Sequence, residues 1–417
     1  MTFLGGLGFA SVERGTLVQC STEPQSKHSQ PTNKMSAITN LIHHPRRLFL
    51  RKVLFQVHLW AGILLSLYLI VISLTGAILV FEDELTATTL PTGLHSYNPT
   101  RSATIPQVVH TFTATHPDAK IEFLILPTPT IPAFQLRATD LRHSEFNLVA
   151  DPQTAVIHDQ PRNWLNVVHD LHVYLLFAES HGIQINGIGA AILLLLAITG
   201  LCLWWPGLRV WTRGLRISLH HNWRRINYDT HNAIGIWTLA IVTWWAISGI
   251  YFAWYRQVAA AINVISPIRN MISPTTAPAQ PPIANVIPAT LDQILISAHK
   301  ASPHGTLFAL SSATLHTPTI LAEIDLAKPG DFSHRDLVTL DTATARVLSI
   351  WHYGQNQSLG DWILWSMHPL HFGTLWGLPF KILWFLLGLT LALLTATGLL
   401  MYWNRYLRRR WSSLQAT

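Results

Sequence analysis

The sequence predicts an α-helical membrane protein: four transmembrane helices in two parallel repeats, each repeat carrying a small α+β domain outside the membrane. Three observations predict it. Only 12% of the 417 residues are charged, about half the usual share in soluble chains. Four segments, Val57–Phe81, Gln184–Trp205, His231–Tyr255 and Ile382–Trp403, contain no Asp, Glu, Lys or Arg, and about 20 such residues cross a bilayer as a helix. The signature H-x-L-H occurs twice, as "HDLH" ending at His172 and "HPLH" ending at His371, each before an apolar run.

The elements follow in order. Residues 1–45 read as a disordered N-terminal extension whose first 34 residues lack the pattern of a signal peptide, with Met35 an alternative start to Met1. Residues 46–82 form the first span, whose basic lead "PRRLFLRK" belongs on the cytoplasmic side. Residues 83–165 form the first outer domain. There "VVHTFTATHPDAK" reads as a helix, and "AKIEFLILPTPT" and "PAFQLRATDLRHSEFNLVADPQTAVIHD" as strands broken by Pro and Asp turns. Residues 166–206 are an interfacial helix and the second span, and 207–228 a basic cytoplasmic loop. The third span is 229–255. Residues 256–361 repeat the outer domain, with the helix "LDQILISAHKASPHG" and strands "GTLFALSSATLHTPTILAEIDLA" and "RDLVTLDTATARVLSIW". A Pro-rich stretch, 273–289, is irregular. Residues 362–404 are the second interfacial helix and fourth span, and 405–417 a basic tail. The inward segments hold 13 of the 28 basic residues and one acid, Asp229. The net charge of +7 therefore reflects membrane anchoring, with lipid as the partner and no nucleic acid implied.

Aligning the halves matches "HLWAG" (58–62) with "HNAIG" (231–235) and "LTGAILVF" (74–81) with "ISGIYFAW" (247–254). It also matches "ITGLCLWW" (198–205) with "ATGLLMYW" (396–403). Histidine at membrane depth is uncommon and usually functional. His58 and His231 fall at the cytoplasmic level, His172 and His371 at the outer level. Two facing imidazoles suit a b-type haem, and a porphyrin needs backbone close to its plane. Gly62 and Gly235 lie one turn from His58 and His231 on the same face. Gly76 and Gly249, five turns further, reach the outer level; Gly200 and Gly398 reach the inner one. The pattern gives two haem b, with iron ligands His58 and His231 in one and His172 and His371 in the other. His169 and His368 stay open as alternative outer ligands. An ordinary metal-ion site is the other reading, disfavoured because no carboxylate lies at ligand spacing within a span. The tryptophans mostly mark interfaces; Trp244 and Trp245 are deeper, placed to stack on or lie between haems, with packing the preferred reading. The two cysteines, Cys20 and Cys202, support neither a disulfide nor a c-type haem.

The motifs "HLWAGILLSLYLIVISLTGAILVFEDEL" (58–85), "DLHVYLLF" (170–177), "TGLCLWWP" (199–206), "DTHNAIGIW" (229–237) and "HPLHFG" (368–373) resemble the PepSY-associated transmembrane family over about residues 46–405. That family includes iron-regulated inner-membrane proteins and ferric-siderophore reductases. The resemblance implies PepSY-like periplasmic domains, both termini cytoplasmic in a bacterial inner membrane, and two haems b on His58, His172, His231 and His371. It implies an oxidoreductase passing electrons from a cytoplasmic or quinol donor to a periplasmic ferric-siderophore or other ferric chelate. No catalytic side chain is required. No nucleotide fingerprint occurs, so the donor is a separate protein, a quinol or free reduced flavin. Trp362, Trp365 and Arg335 are placed near the substrate mouth. The rival readings are a non-enzymatic binding or regulatory membrane module, and a haem-bearing partner of a separate reductase.

Overall fold

The computed structural model describes residues 49–94, 102–207, 210–268, 288–327, 334–355 and 357–408. The N-terminal extension, most of the Pro-rich stretch and the end of the basic tail lie outside them. The first half runs α1 (Phe49–Leu64), α2 (Ser66–Leu79), α3 (Glu82–Thr88), α4 (Ile105–Thr115), β1 (Ala119–Ile125), β2 (Phe134–Asp140), β3 (Glu145–Ala150), β4 (Ile157–Asp159), α5 (Trp164–Val173) and α6 (Glu179–Trp204). The second runs α7 (Trp223–Ala253), α8 (Tyr255–Ile265), α9 (Leu291–Ala301), β5 (Thr306–Ser311), β6 (Thr319–Asp325), β7 (Arg335–Asp341), β8 (Val347–Trp351), α10 (Leu359–Phe372) and α11 (Leu378–Tyr402).

Three helices, His181–Trp204 within α6, α7 and the α11 helix, are long and apolar enough to cross a membrane. The fourth expected span is broken. α1 and α2 meet at Leu65 with a bend of 63°. Neither Pro nor Gly lies at the break; Ser66 Oγ donates to Ile63 O at 2.8 Å, the kind of side-chain intrusion that bends helices. The expectation that one straight helix carries His58 and Gly76 on a single face is therefore corrected. Its counterpart α7 runs unbroken, capped by Asn222, whose side chain accepts from Arg225 N. It begins six residues before the expected span.

The sheet is the second difference. Two separate α+β units were expected, with strands in the alternating runs; among the described residues eight strands form. They join edge to edge, in the antiparallel order β4-β3-β2-β1-β5-β6-β7-β8. Phe123, Leu124 and Ile125 pair with Ser311, Leu310 and Ala309 across the seam. Alternating residues put Phe134, Leu136 and Ala138 of β2, and Ile320, Ala322 and Ile324 of β6, into one core with Val108 and Phe112 of α4 and Ile294 and Ala298 of α9. Both helices start from the same capping box, Thr104 with Gln107 and Thr290 with Gln293.

Arg335 is corrected as well. It does not line a mouth: it is 5% exposed, donates to Asp325 Oδ1 at 2.7 Å and Glu323 Oε2 at 2.6 Å, and lies over the Phe308 ring. Alternation puts Glu323 and Asp325 on one face, and Asp325 pairs directly with Arg335 across β6–β7. Replacing Arg335 with leucine strands two partly or wholly buried carboxylates. A loss of about 3 kcal/mol or more is expected, read as a lower thermal midpoint in detergent.

Candidate functional site

α5 and α10 each descend from the sheet and bring a histidine to the sheet-side end of the bundle. Asn163 and Asn166 box the start of α5, and Ser358 and Asp361 the start of α10. Asn186 of α6 anchors α5 below, its Nδ2 donating to His172 O at 2.7 Å while Tyr68 donates to its Oδ1 at 2.6 Å. The His172 and His371 rings end with centroids 6.4 Å apart. At the other end of the bundle, α1 and α7 bring His58 and His231 to the same separation, 6.4 Å. Residues 199 apart in H-x-L-H, and 173 apart in the spans, thus meet as two pairs.

Each ring is held at Nδ1 by a hydroxyl on a neighbouring helix. His58 meets Thr199 Oγ1 at 2.9 Å, His172 meets Thr75 Oγ1 at 3.0 Å, His231 meets Thr397 Oγ1 at 3.0 Å, and His371 meets Ser248 Oγ at 2.7 Å. Sequence reasoning missed these four residues. Their signal was present: each immediately precedes Gly200, Gly76, Gly398 or Gly249. No Nε2 of the four has a protein hydrogen-bond partner among the described residues. On α5 and α10, burial pushes the His172 imidazole down to about 4, with His169 adding to the effect. Burial pushes His371 down to about 3, helped by His172 and His368. Both are neutral at neutral pH, the form that ligates a metal.

The glycines divide. A Cβ on Gly76 would stand 2.8 Å from His172 Cε1, on Gly200 3.3 Å from His58 Cε1, and on Gly398 3.5 Å from His231 Cε1. These three clear space for the histidine rings themselves. Gly62 and Gly235 line a cavity of about 1040 Å³ around His58 and His231. Gly249 is the exception: its missing Cβ would lie 2.9 Å from Ala190 Cβ, so it serves the α6–α7 contact. The alternative outer histidines do not form the opposed pair. His368 stacks on Phe372 at 4.2 Å, and His169 contacts Asp170 and Tyr174. Trp245 packs edge-on against Trp384 at 6.0 Å, as its packing reading expected.

These residues fit a haem. Two metal–nitrogen bonds of about 2 Å, plus the half-width of each ring, separate imidazole centroids by roughly 6 Å, matching both pairs. Each ring keeps a free Nε2, and the lower pair opens onto a cavity of the volume ligand sites need. Among the described residues no three His, Cys, Asp or Glu side chains group as they would around a bare metal ion.

Residues 55–405 match the family described as the PepSY-associated TM region. The chain belongs to the PepSY-associated transmembrane family. The match takes in all four histidines of the two pairs, and with the long apolar helices makes this PepSY-associated chain a multi-pass membrane protein. No curated protein sequence matches it.

Proposed function

We propose that the protein is a dihaem b electron conduit of a bacterial inner membrane. It takes electrons on the cytoplasmic side and reduces a ferric-siderophore or other ferric chelate on the side of the sheet. The observation that carries this reading is the pair of opposed imidazoles at 6.4 Å at each end of the bundle. The parallel-repeat arrangement and cytoplasmic termini rest on the basic segments at the end remote from the sheet.

When bound, haem b supplies a reversible one-electron Fe(III)/Fe(II) couple. The chain's own residues do the rest. His58 and His231 would hold one iron, His172 and His371 the other. α7 carries His231 and, 17 residues on, Ser248, which holds His371; one continuous helix thereby fixes the two levels about 26 Å apart. The spans exclude water between them. At the cavity rim Arg51 is committed to the end of α6, donating to Cys202 O and Trp205 O at 3.1 Å. Lys52 and Arg224 also line that cavity and suit the carboxylates of a porphyrin or an anionic donor. On the sheet side Trp362 and Trp365 lie 5.3 Å apart and both pack on Tyr353, giving a ring-rich face beside α10 where a chelate can dock.

The experiment is stopped-flow mixing of chemically reduced, purified protein with ferric chelates, with a chromogenic Fe(II) trap present. Re-oxidation with stoichiometric Fe(II) is expected. A pigmented protein that is not re-oxidised would favour the partner of a separate reductase; a colourless one would favour the non-enzymatic module.

A further inference from the structure

Each hydroxyl that meets a histidine also bonds to its own helix. Thr199 Oγ1 donates to Leu195 O at 2.7 Å, Thr75 Oγ1 to Val71 O at 2.7 Å, Thr397 Oγ1 to Leu393 O at 2.9 Å, and Ser248 Oγ to Trp244 O at 2.8 Å. A hydroxyl carries one proton. With that proton given to a carbonyl, the oxygen can only accept from the imidazole. Nδ1 is therefore the protonated nitrogen, and Nε2 keeps its lone pair. His231 shows this independently, because its Nδ1 also reaches Leu394 O at 3.1 Å, and a carbonyl cannot donate.

We infer that Thr75, Thr199, Ser248 and Thr397 are positioning residues: they lock all four histidines in the Nδ1–H tautomer and set each ring with Nε2 turned into the bundle. The dipeptide [Ser/Thr]-Gly is their shared motif. The hydroxyl takes the proton-bearing edge of the ring, and at Thr75-Gly76, Thr199-Gly200 and Thr397-Gly398 the glycine lets the ring lie against the backbone. The consequence for a bound iron rests on the haem reading above; the tautomer assignment does not. A metal-bound histidine is oriented by whatever its second nitrogen meets, and here that group is neutral at every site. The four are not equivalent. His231 alone of the four also meets a backbone carbonyl among the described residues, that of Leu394. Among the described residues His371 meets Ser248 alone, at 2.7 Å. Removing the hydroxyl at 248 therefore frees its ring more than removing that at 397.

Two measurements test this. In full-length protein prepared without haem and labelled at histidine, ¹⁵N spectra should show four histidines protonated at Nδ1 and not at Nε2. Nε2–H signals from these four would overturn the inference whatever the pigment result, whereas a colourless wild type would sink only the haem reading. In pigmented protein, Ser248→Ala should weaken retention of the sheet-side haem by about 10–100-fold, raise its midpoint potential and shift its low-spin EPR signal. Ser248→Thr should keep wild-type values, and Thr397→Val should have a smaller effect on the other haem. The control is Thr395→Val: Thr395 is buried on the same helix and bonds back to Leu391 O at 2.9 Å, but meets no histidine. An equal shift in Thr395→Val, or unchanged potential and EPR in both Ser248→Ala and Thr75→Val, would overturn it.

Discussion

Replacing His58 with leucine is expected to remove one of the two haems and leave the other intact. Leucine fills much of the same volume in an apolar helix, so the helix itself is not penalised. What is lost is one Nε2 donor, and His231 cannot grip alone, since a six-coordinate bis-imidazole iron needs both faces. Haem content should fall by half, and His231→Leu should give the same product. The retained haem should still be re-oxidised by ferric chelates after chemical reduction, because His172 and His371 lie about 26 Å away along α7. Reduction by a donor from the remote side should fail. Equal loss of both haems in His58→Leu, with the protein folded, would argue against two independent sites. Haem spectra after each variant check this directly.

The second large effect is expected at Gly76. A methyl group there would meet His172 Cε1 at 2.8 Å, closer than atoms tolerate, and the ring is tied to this same stretch of helix by the Thr75 contact at Nδ1. Gly76→Ala should displace the ring and weaken the sheet-side haem by about tenfold or more. The series then grades itself. Gly200→Ala, at 3.3 Å from His58, should do less to the other haem, and Gly398→Ala, at 3.5 Å from His231, little. Gly249→Ala should lower the thermal midpoint through its clash with Ala190 while shifting no ligand signal. Retention of each haem and the unfolding midpoint, measured across the four variants, give the ordering.

Much of this was legible from the chain alone. Uncharged length marked the spans, because lipid tolerates nothing else. The repeat marked the histidines, because only comparison of the halves separates His172 from the many histidines with ordinary roles. What stayed hidden depends on contacts between elements distant in sequence. The bend at Leu65 has no Pro or Gly beside it, only Ser66, and nothing in "LLSLY" distinguishes a kink from a straight helix. The β1–β5 seam joins strands from different halves, and a strand's pattern does not name its partner. Thr75 and Thr199 look like inert helix residues, since threonine commonly bonds back to its own helix; only the neighbouring ring shows that the oxygen has a second use. Gly76 and Gly249 are equivalent in the alignment and differ in place, one under a ring and one under Ala190. Arg335 read as part of the substrate mouth until pairing with β6 put Glu323 and Asp325 against it.

Low-temperature EPR of the oxidised, purified full chain probes the two clamps themselves. Two low-spin ferric signals, both of the bis-imidazole kind and one per histidine pair, are expected. A silent spectrum, or a high-spin signal from an iron held on one side only, would contradict the pairing of His58 with His231 and of His172 with His371 around iron.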